Sequence, residues 1–292
     1  MVAKSGSTGV TVRCVIPAVI VLSIVVTGCT PPTSFTTDQT PTPATTTAHA
    51  VLDWDTANVI LPLDRYGMTP DETIVMDAAK SIAFAQCVSG ADGVSAAVIQ
   101  EASRFLHTVP IVNHARYGYW DVPYVAQHGF TGSRDVPVSL VSTDPNTGAN
   151  CMASVSAEGY ESISGTQMNP SSELLLDGSG QSYDALWKDA RVDSIRVQYL
   201  ACIAAAGYAT DSRRGGGVAY DPAWADARIQ IAAIAEATCA DRLNYTQQVG
   251  DVEASIQTGY IAQHEADLVA LRAECDRRVA LAHDLLHHVG LE

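Results

Sequence analysis

From residue 69 onward the apolar positions fall into blocks at three-to-four spacing, separated by stretches rich in Gly, Pro, Asn and Ser. Ile74, Val75, Ala78, Ala79, Ile82 and Ala85 form the first block, with the period of one helical face. Just before it stands Thr69-Pro70-Asp71-Glu72. Its Thr can accept the Glu72 amide, Glu72 can return to the Thr amide, and Pro suits the first helical position. A helix is therefore predicted to start here and to end near Cys87, with Gly90 just beyond. Val94, Ala97, Val98, Ala102 and Leu106 predict a second helix within 92–106. From 108 to 168 the period dissolves, leaving short apolar runs such as Val136 to Val141; loops are expected, with room for one hairpin.

Periodicity returns at Ser171 to Leu176, continues through Tyr183, Leu186, Trp187 and Ala190, and resumes from Ile195 through Tyr199, Leu200 and Ile203 to Gly207. Arg213 to Gly217 reads as a loop. Asp221-Pro222 is expected to cap a helix running through Trp224, Ile229, Ile231, Ile234 and Ala237 to about Cys239. Residues 244–288 contain no Pro and carry Val252, Ile256, Tyr260, Leu268, Leu271, Cys275, Val279, Ala282 and Leu286 at helical spacing. At ~1.5 Å per residue such a helix extends roughly 65 Å, with Gly250 and Gly259 as expected bend points. Its stripe of Leu268, Leu271, Cys275, Ala282 and Leu286 must be buried. If the body is too small to cover it, the distal part is left for a second protein or a second copy. The expected fold is mainly α: an irregular helical bundle with a long C-terminal helix and a loop-rich middle segment that can hold a β-hairpin.

The first 50 residues follow a different pattern. Lys4 and Arg13 are the only charges before residue 38, and they precede a 13-residue apolar run, Cys14 to Val26. A bilayer-spanning helix needs ~20 apolar residues, so this run reads as the core of an export signal. It ends in Val26-Thr27-Gly28-Cys29, which resembles the bacterial lipobox, an aliphatic residue and two small ones before the cysteine that receives diacylglycerol. Residues 29–50 hold nine Thr and four Pro among 22, the composition of an extended tether. The chain thus divides into a lipoprotein signal peptide at 1–28, a Thr/Pro-rich tether at 29–50 and a helical extracytoplasmic body at 51–292.

Composition adds an exclusion. The chain of 292 residues is 47% hydrophobic and 17% charged, so it can bury a core, and its net charge is −15 with only 17 Lys and Arg against 32 Asp and Glu. Phosphate backbones are held by clustered cations, so nucleic-acid binding is not expected. Removing 1–28 takes two cations and no acid, leaving the body more acidic still and repelled by anionic lipid. The anchor on Cys29 would then be its attachment to the cytoplasmic membrane, beyond any contact with another envelope protein or a cell-wall component.

Leu61-Pro62-Leu63-Asp64-Arg65-Tyr66, the capped helix ending in Cys87, Arg116-Tyr117-Gly118-Tyr119, Cys151, the Cys202 to Gly207-Tyr208 segment, Cys239 and the long terminal helix occur in that order. Over about 61–288 this arrangement resembles a group of Ala-rich exported lipoproteins of actinobacteria. Arg outnumbering Lys fits a GC-rich source of that kind. Val88 and Ile203 depart from the pattern, standing where Met is expected after cysteine. The resemblance implies a helical, envelope-facing lipoprotein and supplies no activity.

Several residues are candidates for chemistry. Of the body's five cysteines, Cys87, Cys151, Cys202 and Cys239 are the disulfide candidates. The pairs favoured are Cys87–Cys151 and Cys202–Cys239, since each ties a helix end to the next segment, with Cys275 packed in the long helix. The alternative is five reduced, buried thiols. His283-Asp284-Leu285-Leu286-His287 puts two His on one helical face, the spacing zinc needs. So close to the C-terminus, however, His283 and His287 better complement the helix dipole. Tyr117, Tyr119, Trp120 and Tyr124 either form a surface that grips a ligand or partner or pack a loop onto the body. Asp184, Asp189 and Asp193 read as a solvated helical face. Nucleophile-elbow and phosphate-loop signatures are absent. No catalytic residue, metal or cofactor is expected. The function expected is a non-catalytic binding or assembly module of the cell envelope, ahead of a transporter's solute-binding lipoprotein and of a cell-wall or metal-dependent hydrolase.

Overall fold

The computed structural model describes residues 48–90, 93–107, 116–128, 144–164, 170–211 and 215–291. Val26, Thr27, Gly28, Cys29, the tether up to residue 47 and the run from Val136 to Val141 lie outside them. The described body is mainly α, with eight α-helices and one two-stranded sheet. No helix among these residues is long and apolar enough to cross a membrane.

The body opens with an antiparallel hairpin, β1 (Val51–Asp53) and β2 (Asn58–Ile60), in register Val51 to Ile60. A hairpin thus opens the body, while the run from Val136 to Val141 where one was expected lies outside the described residues. A single 3-10 turn, Asp64–Tyr66, leads into α1 (Pro70–Ser89). The capping box forms as the sequence requires: Glu72 N–H donates to Thr69 Oγ1 (3.2 Å), Thr69 N–H donates to Glu72 Oε2 (2.7 Å), and Gly90 ends the helix at φ 59°. α2 (Ala96–Leu106) begins one residue after Ser95, whose hydroxyl accepts from Val98 N–H.

The middle segment is more helical than its composition suggests. It contains α3 (Val122–His128) and α4 (Pro145–Glu158). Asn146, Thr147, Gly148 and Asn150 are poor helix formers, but Asp144 accepts from the Asn146 and Thr147 amides, Pro145 follows, and Gly159 closes the helix in the left-handed region at φ 102°. Termini and packing outweigh weak propensity there. After α5 (Glu173–Leu186) and α6 (Ala190–Ala205), α7 covers Asp226–Arg242. It starts later than Asp221-Pro222 implies, because Asp221 closes a turn, accepting Ala223 N–H on its carboxylate and Trp224 N–H on its carbonyl.

α8 runs from Tyr245 to His288, 44 residues. Its one non-helical residue is His264 (φ −118°, ψ 18°), so the break lies at neither Gly250 nor Gly259. α8 joins two hydrophobic clusters. One gathers α1, α2 and α4 onto distal α8, burying Ile82, Phe84, Phe105, Leu268, Cys275, Ala282 and Leu286. The other gathers β2, α6, α7 and proximal α8, burying Val59, Tyr117, Trp120, Tyr199, Tyr245 and Val249. The distal stripe is thus covered from within by α1 and its neighbours, so the body is large enough to bury it.

The disulfides are Cys87–Cys151 and Cys202–Cys239, with Cα atoms 5.6 and 5.8 Å apart, one in each half of the body. Cys275 is free and buried. Three residues before each cysteine of the second pair, Tyr199 OH donates to Glu236 Oε1 (3.1 Å), so this bond and the disulfide share a separation of 37 residues. The hydrogen bond and the disulfide thus join α6 to α7 at two neighbouring points, one turn apart on each helix.

Candidate functional site

Two glutamates without a sequence motif are deeply buried, Glu253 on α8 at 0% exposure and Glu236 on α7 at 2%. Each sits among buried apolar positions of its helix, Glu253 beside Val249, Val252 and Ala254, Glu236 beside Ala233, Ala237 and Ala240. A charge among such positions is the sequence signal that could have found them. Burying an unpaired carboxylate is costly, and the tetrapeptide Arg116-Tyr117-Gly118-Tyr119 supplies partners to both.

Glu253 takes a two-point contact from Arg116, with Nε at 3.1 Å from Oε2 and Nη2 on Oε1. Tyr117 OH donates to Oε2 (2.5 Å) and Ser182 Oγ to Oε1 (3.0 Å). Arg116 also reaches Ser179 Oγ (3.2 Å) and lies 5.4 Å from the Tyr183 ring centre. Burial works against the guanidinium charge, but the hydrogen bonds and charge of Glu253 outweigh it and hold Arg116 protonated more firmly than usual. Burial, then the negative charge of Glu253, push the Tyr117 phenol well above its ordinary range.

Glu236 has no cation beside it among the described residues. Its Oε1 accepts from Tyr119 N–H (3.1 Å) and Tyr199 OH (3.1 Å), and its Oε2 from Val218 N–H (3.1 Å) and Tyr220 OH (2.8 Å). Burial raises its carboxyl above the usual range while these four donors pull it back. The cradle closes tightly. A Cβ on Gly118, at φ +99°, would come 2.6 Å from Glu236 Oε1, and one on Gly217 would collide with the same atom. The acid in turn pushes its tyrosines up: burial followed by the Glu236 charge takes Tyr119 to about 12 and Tyr199 and Tyr220 well above their ordinary range.

Tyr117, Tyr119, Trp120 and Tyr124 are all buried, at 0%, 7%, 2% and 8% exposure. They do not form the open gripping surface that was one expectation for them; they pack the loop onto α7 and α8. The physical reason is that Arg116 and Tyr117 must reach Glu253 while Tyr119 reaches Glu236, which draws the whole strip inward. Trp120 also packs edge-on against Trp54 at 4.8 Å.

His283 and His287 sit exposed in the last two turns of α8. No group of three or more His, Cys, Asp or Glu able to hold a metal ion occurs among the described residues. Asp184 and Asp193 are exposed, whereas Asp189 caps α6 by accepting Arg191 N–H (2.9 Å). Burial pushes the free Cys275 thiol up to about 11, so it is a packed group and not a thiolate at neutral pH. The two buried carboxylates are held by fixed donors, phenols among them, and join α6, α7 and α8 to one loop. Among known proteins, no family, no curated sequence and no solved structure matches this chain.

Proposed function

We propose that the protein is a lipoprotein of the cell envelope, of the actinobacterial type, tethered through Cys29 to the outer face of the cytoplasmic membrane, and that its body is a non-catalytic binding or assembly module. The observation that carries the reading is the placing of one disulfide in each half of the body. Disulfides persist where the surroundings are oxidising, which agrees with an export signal and lipobox at 1–29. The non-catalytic part is supported by how the buried ionisable groups are used. Glu236 and Glu253 spend their acceptor capacity on internal donors, which suits a fixed scaffold better than proton transfer.

The test is made on protein from native membranes. Mass spectrometry is expected to find Cys29 diacylated as the first residue, and Cys29→Ala to abolish lipid labelling and release the body from the membrane fraction. A mature N-terminus elsewhere, or membrane retention of Cys29→Ala, would overturn the anchoring. Five free thiols in envelope-isolated protein would overturn the compartment.

A further inference from the structure

A groove of about 500 Å³ opens where the two hydrophobic clusters meet, lined by His49, Pro62, Arg65, Thr258, Ile261 and Glu265 among others. Its volume lies within the range of small-ligand sites, about 300–1,000 Å³, and junctions between packed units are where such sites concentrate. Three segments form it. The strand-entry residues bring His49, the loop and 3-10 turn bring Pro62 and Arg65, and α8 brings Thr258 to Glu265 around its break at His264.

Two opposite charges in this groove stand outside any ion pair among the described residues. Arg116, Arg191, Arg272, Arg277 and Arg278 each pair with a carboxylate. Arg65 has no acidic partner among the described residues, although the chain carries 32 acids to 17 Lys and Arg. Its guanidinium lies over the Tyr66 ring at 4.7 Å and donates one N–H to Tyr66 OH (2.7 Å), which fixes its position and leaves further donors. Glu265 likewise has no cationic partner among the described residues, and the two make no ion pair with each other while lining one groove. Pro62 and Ile261 add apolar wall, Thr258 adds a hydroxyl, and His49 is placed by Asp251 (3.4 Å).

We propose that this groove binds a short zwitterionic peptide, its carboxylate on Arg65 and its ammonium on Glu265. Arg presents a planar fork that matches a carboxylate, and Glu accepts from an ammonium. Two opposite charges that share a groove without pairing fit a ligand whose own charges are separated by a peptide backbone. The proposal names a ligand for the binding role proposed above and rests on that role, but not on the anchor.

The test is calorimetric titration of the full chain in detergent with Ala-Ala and Ala-Ala-Ala, their N-acetyl and C-amide forms, and free alanine. Saturable one-to-one binding of an uncapped peptide is expected, with each cap weakening it at least about tenfold. Arg65→Gln is expected to weaken the peptide and its N-acetyl form but to leave the C-amide form unchanged. Glu265→Gln is expected to do the reverse. Both residues are exposed, so an unchanged unfolding midpoint is expected, and Ala262→Trp, which fills the groove without altering either charge, is expected to abolish binding. Absence of binding to both uncapped peptides at 10 mM (about 100-fold weaker than a typical ~0.1 mM site), or insensitivity to all three variants, would overturn the peptide site. Equal affinity for alanine would assign the groove to amino acids and overturn the peptide assignment. Loss of peptide binding as a hypothesis, with Cys29 acylated and the thiols paired, would leave the envelope reading standing.

Discussion

At the scale of single residues, Glu253 and Glu236 solve one problem in two ways. Glu253 is paired with a cation, and Glu236 is solvated by four uncharged hydrogen-bond donors. Glu253→Gln leaves Arg116, whose side chain is 14% exposed, without its countercharge. Breaking a buried pair from one side costs about 3–5 kcal/mol, and a loss of that size is expected in denaturant unfolding. Gly118→Ala tests the other cradle. The new Cβ would press on Glu236 Oε1 and on Tyr199 OH, each at 2.6 Å, from a backbone at φ +99°. A destabilisation of roughly 2–3 kcal/mol is expected, with Gly207→Ala as a control that shares the positive φ but has nothing within 4 Å of its Cβ.

At the scale of elements, legibility followed the strength of local signals. α1 is readable because Thr69, Pro70, Glu72 and Gly90 mark both its ends around a run rich in apolar residues. α4 is marked by Asp144, Pro145 and Gly159 too, but Asn146, Thr147, Gly148 and Asn150 are poor helix formers, so its sequence reads as loop. The break in α8 could not be placed from composition. The two glycines stay helical, and the departure falls at His264, whose ring lies 4.3 Å from that of Tyr260, itself held by donating to the Leu174 carbonyl (2.8 Å). The cradles were illegible for a different reason: they depend on contacts 117 and 137 residues apart in sequence. The distal stripe of α8 is closed by α1, and Leu268 is fully buried. Leu268→Asp is therefore expected to unfold that half of the body, seen as lost helical circular dichroism, whether or not any partner is present. His283→Ala with His287→Ala is expected to leave the melting temperature within a degree or so, as exposed substitutions do.

At the scale of the whole molecule, the tyrosines set the alkaline limit. In the unfolded chain a phenol releases its proton near pH 10, whereas burial and then the Glu236 charge hold Tyr119 to about 12, and Tyr117, Tyr199 and Tyr220 stay protonated still more firmly. A group whose native pKa is raised adds stability that is complete below the unfolded value and is lost as pH climbs through the native one. Stability is therefore expected to hold to about pH 10 and then fall steeply, with these four phenols ionising together with unfolding and not before it. On the acid side, hydrogen bonds from Arg277 hold Glu274 down to about 2, so its contribution persists above the ordinary carboxylate range and fades as pH falls through that value.

The Tyr199 to Glu236 bond, one turn from Cys202 and Cys239, bears on how the second disulfide is made. With both cysteines reduced, the Tyr199 to Glu236 bond still sets the two helices in the alignment that brings Cys202 to Cys239. The thiols then meet at a high local concentration rather than by search of the chain. The packed protein acts as the template for its own oxidation. Tyr199→Phe keeps the ring and removes the hydroxyl, so closure of Cys202–Cys239 from the reduced, folded state is expected to slow several-fold in a glutathione buffer, while closure of Cys87–Cys151 in the other half keeps its rate.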